Sequence, residues 1–107
     1  MFFSTLMIFV YITFRDKEEA QKVGKALLER KAAGCVNIWS SYSMFQEEGS
    51  LKGVNEVSMI VKTIDSKIQD VEDIVRELHS YKVPCIAAFS LHRLNREYKD
   101  WLMSQVG

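Results

Sequence analysis

Cysteine and proline are both scarce in this 107-residue chain, which contains two cysteines and one proline. The cysteines, Cys35 and Cys85, form no CxxC pair, and the two histidines form no HxxxH pair. Two thiols are too few for a disulfide scaffold, and so low a number is typical of a protein from a reducing compartment.

An excess of one charge is also missing, since 14 basic residues balance 14 acidic residues and the formal net charge is +0. Without a basic stripe, we expect neither nucleic acid nor a membrane surface as a partner. The longest apolar run, Leu6 to Phe14, is far shorter than the about 20 residues that cross a bilayer. It also lacks the basic region and cleavage site of a signal peptide, so we predict that it is a buried first strand.

Signatures of catalysis are absent as well. The sequence contains no recognisable nucleophile–base pair, P-loop or glycine-rich dinucleotide turn. A phosphate-transferring enzyme of the acylphosphatase type would need an arginine-bearing phosphate loop after the first strand. Residues 13–16 offer one arginine and no glycine. We therefore predict a protein without enzymatic activity.

The most distinctive stretch that is present is a long predicted hairpin over residues 34–65. Its first arm, residues 35–47, is rich in aromatic and β-branched residues, and its second arm, residues 54–64, alternates apolar and polar residues. The residues with turn chemistry between them are Glu48, Gly49, Ser50 and Gly53. Each arm would be roughly 40 Å long when fully extended. A small domain cannot cover both faces of such a ribbon, so the hairpin predicts self-association.

Amphipathic stretches stand on both sides of the hairpin. The first predicted helix starts at Asp16, with Glu19 three residues later as in a capping box, and Gly24 inside it favours close packing on a sheet. The second starts at the cap Asp65-Ser66 and continues with apolar residues at helical spacing. A strand over residues 84–91 and a short terminal helix over residues 97–103 complete a βαββαβα order.

This order predicts one α+β, ferredoxin-like domain over residues 1–107, with residues 1–5 as a disordered lead-in. Right-handed crossovers place the first and third strands side by side and parallel, with the second outside the third and the last beside the first. Both helices then lie on one face, and the opposite face needs other subunits or the terminal helix to cover it. Cys35 and Cys85 would lie at opposite edges, roughly 14 Å apart. We therefore predict no disulfide between them.

Reactive side chains gather only in the loop from His79 to Cys85, which also holds Tyr81 and Lys82. One interpretation is a plain helix-to-strand connection, with the histidine near a helix C-terminus. The other is a soft metal site, since imidazole and thiolate suit copper or zinc. Two ligands from one chain do not close a site, so we expect weak metal binding and no required cofactor. The residues alone leave both interpretations open.

Several stretches together resemble the divalent-cation-tolerance (CutA) family. They are residues 26–38, Ser43-Met44-Phe45 with Glu48-Gly49, residues 60–63, residues 77–84 and residues 97–102. The resemblance covers nearly the whole chain from Leu6 and implies a ferredoxin-like homotrimer similar to the nitrogen-regulatory PII proteins. It also implies a loose association with copper and other divalent cations, and residence in the cytoplasm.

Three positions depart from the pattern of that family. Cys85 stands where a glutamate usually follows the loop proline, and Ile12 stands where copper-binding bacterial members carry a cysteine. Glu48 replaces a tryptophan that commonly precedes the turn. The departures concern metal chemistry more than the fold.

We therefore predict a non-enzymatic homotrimer for divalent metal tolerance that binds a metal ion or a small ligand weakly in the clefts between subunits. The predicted metal ligands are His79 and Cys85, and the predicted ligand-cleft residues are Lys62, Tyr81, Tyr98 and Trp101. The alternative is a PII-like signalling module that binds a small anion or a nucleotide, for which Lys62 would be suited.

Overall fold

The computed structural model describes residues 6–106, and the predicted order of strands and helices is confirmed. The elements are β1 (Met7–Phe14), α1 (Lys17–Glu29), β2 (Cys35–Glu47), β3 (Ser50–Ile64), α2 (Ile68–Leu78), β4 (Ile86–Ser90) and α3 (Arg96–Gln105). The predicted disordered lead-in, residues 1–5, lies outside the described residues.

The four strands form one antiparallel sheet in the order β2-β3-β1-β4, so the predicted order of neighbouring strands is confirmed. The predicted parallel orientation of the first and third strands is wrong, since Met7 pairs with Ile64 and Phe14 with Val57 in an antiparallel register. The crossover from β1 through α1 enters β2. The hairpin then reverses the chain, so β3 returns antiparallel to β1.

The core lies between one face of this sheet and the helices α1 and α2. Alternate side chains of β1 point into it, as the period of a strand requires. They are Ile8, Val10, Ile12 and Phe14, none more than 3% exposed. Ile12, one of the three departures named above, is fully buried and packs in the core.

The start and the middle of α1 follow their predicted chemistry. The Asp16 carboxylate accepts a hydrogen bond of 2.8 Å from the Glu19 backbone N–H, which confirms the predicted N-cap. A Cβ on Gly24 would lie 3.1 Å from the Val36 side chain and 3.3 Å from that of Met59. The close packing of α1 on the sheet that Gly24 predicted is therefore confirmed.

The predicted cap of α2 is not formed. The Asp65 carboxylate accepts a hydrogen bond from the backbone N–H of the next residue, Ser66, at 3.0 Å. A single turn of 3₁₀ helix, Asp65–Lys67, leads into α2, and the residue that precedes the helix, Lys67, makes no side-chain capping bond. The local bond of the aspartate competes with the helix cap, as is common for this residue type.

The hairpin turns on two residues, Glu48 and Gly49, whose φ angles are 51° and 80°. Two consecutive positive φ angles are typical of the type I′ turn that suits the twist of a hairpin. Strand pairing resumes at once with Glu47 opposite Ser50, so the placement of Ser50 and Gly53 in the turn is wrong. The second arm is longer than predicted, because β3 begins at Ser50. The molecule measures 54 Å along its longest axis.

The sheet face away from α1 and α2 is only partly covered. The terminal helix α3 lies over one end of this open face, where the Tyr98 ring reaches Lys62 of β3. Beyond it, Trp39 is 44% exposed. The exposed apolar side chains of the hairpin arms are Tyr42, Met44, Phe45, Leu51 and Val54. No helix within residues 6–106 is long and apolar enough to cross a membrane.

Candidate functional site

His79 follows α2 directly, and its imidazole ring is buried with both nitrogens in hydrogen bonds. Nδ1 accepts from the Tyr81 backbone N–H at 3.0 Å, so the proton is assigned to Nε2, which donates to the Thr13 carbonyl at 2.7 Å. The ring also stacks on Phe14, with centroids 4.7 Å apart. Through these hydrogen bonds and this stacking contact, the imidazole links the loop after α2 to the end of β1.

Glu19 supports the same loop from α1, and its side chain is only 6% exposed. Its Oε1 accepts from the Ser80 backbone N–H at 2.7 Å and lies 3.4 Å from the His79 Nδ1. Its Oε2 lies 2.9 Å from the Arg15 Nε without the alignment of a hydrogen bond, so this contact is an ion pair only. The sequence suggested only a helix-start role for Glu19. A signal for more was available, since Glu19 precedes Val23 by four residues and Leu27 by eight, which places it on the buried stripe of α1.

Tyr81 points from this loop toward the open face of the sheet. Its hydroxyl donates to Glu56 of β3 at 2.6 Å, and the same carboxylate accepts from the Ser43 hydroxyl. Burial and the hydrogen bond to Glu56 raise the pKa of Tyr81 to about 12. The phenol therefore stays a donor at neutral pH. Because the folded-state pKa lies above the ordinary value of 10.0, the stability that this bond contributes is complete below pH 10 and is lost as the pH rises through 12.

The two predicted metal ligands stand in different environments. The His79 ring is buried, whereas Cys85, between Pro84 and the start of β4, is exposed. Cys35 is half-buried on β2 at the far edge of the sheet. Both thiols are free, and the strands β2 and β4 beside them are the two opposite edges of the sheet, as predicted. Within residues 6–106, no group of three or more histidine, cysteine, aspartate or glutamate side chains is placed to hold a metal ion.

The predicted ligand-cleft residues fall into two places. The Lys62 ammonium lies 5.4 Å from the centroid of the Tyr98 ring, and the Tyr98 and Trp101 rings are 5.5 Å apart. The three therefore meet at one end of the open face. Tyr81 does not join them in this chain, because it contacts Glu56, six residues away along β3 from Lys62, or about 20 Å.

Phe9 was not among the predicted site residues, yet its ring lies 5.6 Å from the Lys62 ammonium. It also meets Phe89 of β4 edge to face, with centroids 6.1 Å apart. Strand alternation in β1 could have placed Phe9 on the open face, but only the sheet order brings it next to Lys62. A half-buried cation between two aromatic rings can accept an anion, and Lys62 has no carboxylate within 4.0 Å among residues 6–106.

Comparison with protein families gives a match over nearly the whole chain. The family model described as "CutA1 divalent ion tolerance protein" matches residues 8–105. The Divalent-cation tolerance protein CutA of Archaeoglobus fulgidus is 45% identical over 94 residues, which cover 88% of this chain and 92% of that protein. The protein of the same name from Thermococcus kodakarensis is 44% identical over 95 residues, which cover 89% and 91% of the two chains.

Solved structures agree with these sequence matches. The structure of the A. fulgidus protein, described there as periplasmic, superimposes with a TM-score of 0.90 at 42% identity and covers 94% of this chain and 99% of its own. CutA1 from Oryza sativa gives a TM-score of 0.92 at 28% identity, with 97% and 96% covered. The predicted fold class is therefore shown by experimental structures of similar chains.

Proposed function

Because the chain belongs to the CutA1 divalent ion tolerance family, we propose that it is a non-enzymatic homotrimer that responds to divalent metal ions and binds them weakly. Family membership is the observation that carries this proposal. Tolerance of divalent cations is a property of the family as a whole. The trimer, the metal ligands and the absence of catalysis are our proposals for this chain.

The proposed trimer is supported by the surfaces that one chain leaves uncovered. The arms of the hairpin expose Tyr42, Met44 and Leu51, each more than 60% exposed, and the open face exposes Trp39. The edge strand β2 carries 13 residues without a partner strand on its outer side among residues 6–106. Long apolar edges of this kind are normally covered by another chain, because they otherwise cause aggregation.

The proposed metal ligand with free access to solvent is Cys85, held between Pro84 and β4. His79 is the second proposed ligand, and its ring must give up the bond to the Thr13 carbonyl or to the Tyr81 N–H before it can coordinate. The donor set of one chain does not close a tetrahedral site, so further ligands would come from other subunits. Both features make binding weak, and the thiolate favours Cu(I) and Zn²⁺ over Mg²⁺ or Mn²⁺.

Calorimetric titration with Zn²⁺ and with Cu(I) tests this assignment. We expect Cys85→Ser to weaken the affinity about tenfold or more, because a neutral hydroxyl replaces a thiolate. Cys35→Ser removes the other thiol and is the matched control, so its affinity should equal that of the wild type. The affinity of the wild type should also fall as the pH is lowered, since protons compete for the thiolate. Equal binding by all three proteins would remove Cys85 from the metal site.

A second candidate function is a PII-like signalling module that binds a small anion or a nucleotide. The observation that favours it is the Lys62 ammonium between the Phe9 and Tyr98 rings, without a carboxylate partner among the described residues. Titration with a nucleoside triphosphate distinguishes the two candidates. Binding that Lys62→Met abolishes and Cys85→Ser leaves intact would favour the signalling function.

We also propose residence in the cytoplasm. The support is the two free thiols, one of them exposed, which are typical of a reducing compartment. The A. fulgidus relative is described as periplasmic, so fractionation of the cells that make this protein distinguishes the two locations.

A further inference from the structure

A cavity of about 290 Å³ opens where β1 begins, between that strand and the segment that joins β4 to α3. The Leu91 N–H donates to the Met7 carbonyl across 3.1 Å, and this bond fixes the two walls relative to each other. The apolar part of the lining consists of Leu6, Met7, Leu91 and Leu94. The cavity lies at the opposite end of β1 from Thr13, which His79 contacts, so it is separate from the proposed metal loop.

The polar part of the lining is entirely basic. Arg93 and Lys99 bring two positive charges, and His92 lies beside them. Neither Arg93 nor Lys99 has a carboxylate within 4.0 Å among residues 6–106. Two acidic residues are close to these cations in sequence. Glu97 accepts a hydrogen bond from the Asn95 side chain at 3.2 Å, and Asp100, which follows Lys99 directly, is exposed. Within residues 6–106, neither Arg93 nor Lys99 is therefore held in an ion pair, and both remain available to an anionic ligand.

We propose that this cavity binds a small organic carboxylate with an apolar body. The Arg93 guanidinium matches the planar carboxylate with two parallel donors, and the Lys99 ammonium adds a second charge. The leucines and Met7 cover the apolar body of the ligand. A free phosphate ion has no apolar body, so it would leave this part of the lining without a partner. The volume lies just below the roughly 300–1,000 Å³ of ordinary small-molecule pockets, so the ligand is smaller than a drug-sized molecule.

Titration of the whole protein with hexanoate, followed by amide chemical shifts in NMR spectra, tests this site. Hexanol serves as the probe without charge and acetate as the probe without an apolar body. We expect hexanoate to shift the amides of Met7, Leu91 and Leu94 and to bind about tenfold tighter than either other probe. If hexanoate and hexanol bind equally tightly, the charge of the cavity does not hold the ligand and the proposal is wrong. If hexanoate and acetate bind equally tightly, the apolar lining does not contribute to binding and the proposal is equally wrong.

A pair of arginine variants completes the test. Arg93→Gln should weaken hexanoate binding about tenfold, because a charge-assisted pair is lost. Arg76→Gln is the matched control, since Arg76 lies on the exposed side of α2 and pairs with Glu72 at 3.4 Å. If the two variants bind hexanoate equally well, Arg93 does not hold the carboxylate and the proposal is wrong. Metal titration does not enter this comparison, so failure of the metal assignment leaves it unaffected.

Discussion

Replacing His79 by alanine is expected to lower the free energy of unfolding by about 3 kcal/mol or more. The substitution leaves the Thr13 carbonyl and the Tyr81 N–H without their imidazole partner, and each buried group left unpaired costs about 1–3 kcal/mol. It also removes a ring that stacks on the fully buried Phe14. Denaturant unfolding at equal chain concentration measures the loss, since the midpoint of an oligomer depends on concentration.

His92→Ala is the control for this experiment. His92 is exposed in the segment after β4, so its removal should change the stability by no more than about 0.5 kcal/mol. The large difference expected between the two histidines would identify the His79 ring as a structural link between α2 and β1. Equal small losses for both variants would contradict the hydrogen bonds that we assign to His79.

A methyl group added at Gly34 is expected to destabilise the protein by about 1–3 kcal/mol, the usual cost of overpacking. A Cβ at this position would overlap the Cδ1 of Leu102 and lie 3.3 Å from the Gln105 Cβ. Leu102 is fully buried and cannot turn away, so α3 would have to shift. Because α3 also carries Tyr98 and Trp101, Gly34→Ala should alter the surroundings of Lys62, which the amide chemical shifts of Tyr98 and Trp101 in NMR spectra can report.

Gly53→Ala is a matched control, because a Cβ there would also overlap a neighbour, the Tyr42 hydroxyl. Tyr42 is 64% exposed, so its side chain can rotate into solvent at little cost. Alanine also suits a strand better than glycine, and Gly53→Ala should be neutral within about 0.5 kcal/mol. Thermal or denaturant unfolding of the two variants compares them directly. If Gly34→Ala were as stable as Gly53→Ala, the tight contact between α3 and Gly34 would be refuted.

The sequence was a good guide wherever a local pattern decides the structure. Period-two alternation predicted that Val57, Met59 and Val61 share a face, and all three are buried in the core. The Asp16 cap and the close approach at Gly24 are likewise local features that a single residue type specifies. The order of strands followed from the short list of topologies that allow right-handed crossovers.

Contacts between residues distant in sequence could not be predicted in the same way. The bond from Ser80 to Glu19 joins residues 61 positions apart, and that from His79 to Thr13 joins residues 66 positions apart. No spacing rule relates such pairs, because tertiary packing alone brings them together. The same limit explains why Tyr81 was grouped with Lys62, although the structure places its hydroxyl on Glu56.

The most direct test of the proposed homotrimer is the mass of the protein in solution. One chain of 12.4 kDa exposes the apolar hairpin arms and part of the sheet face that we assign to contacts between subunits. Light scattering coupled to size exclusion at micromolar concentration should therefore give about three times the mass of one chain. A single species at the mass of one chain would contradict the trimer and, with it, the proposed sites between subunits.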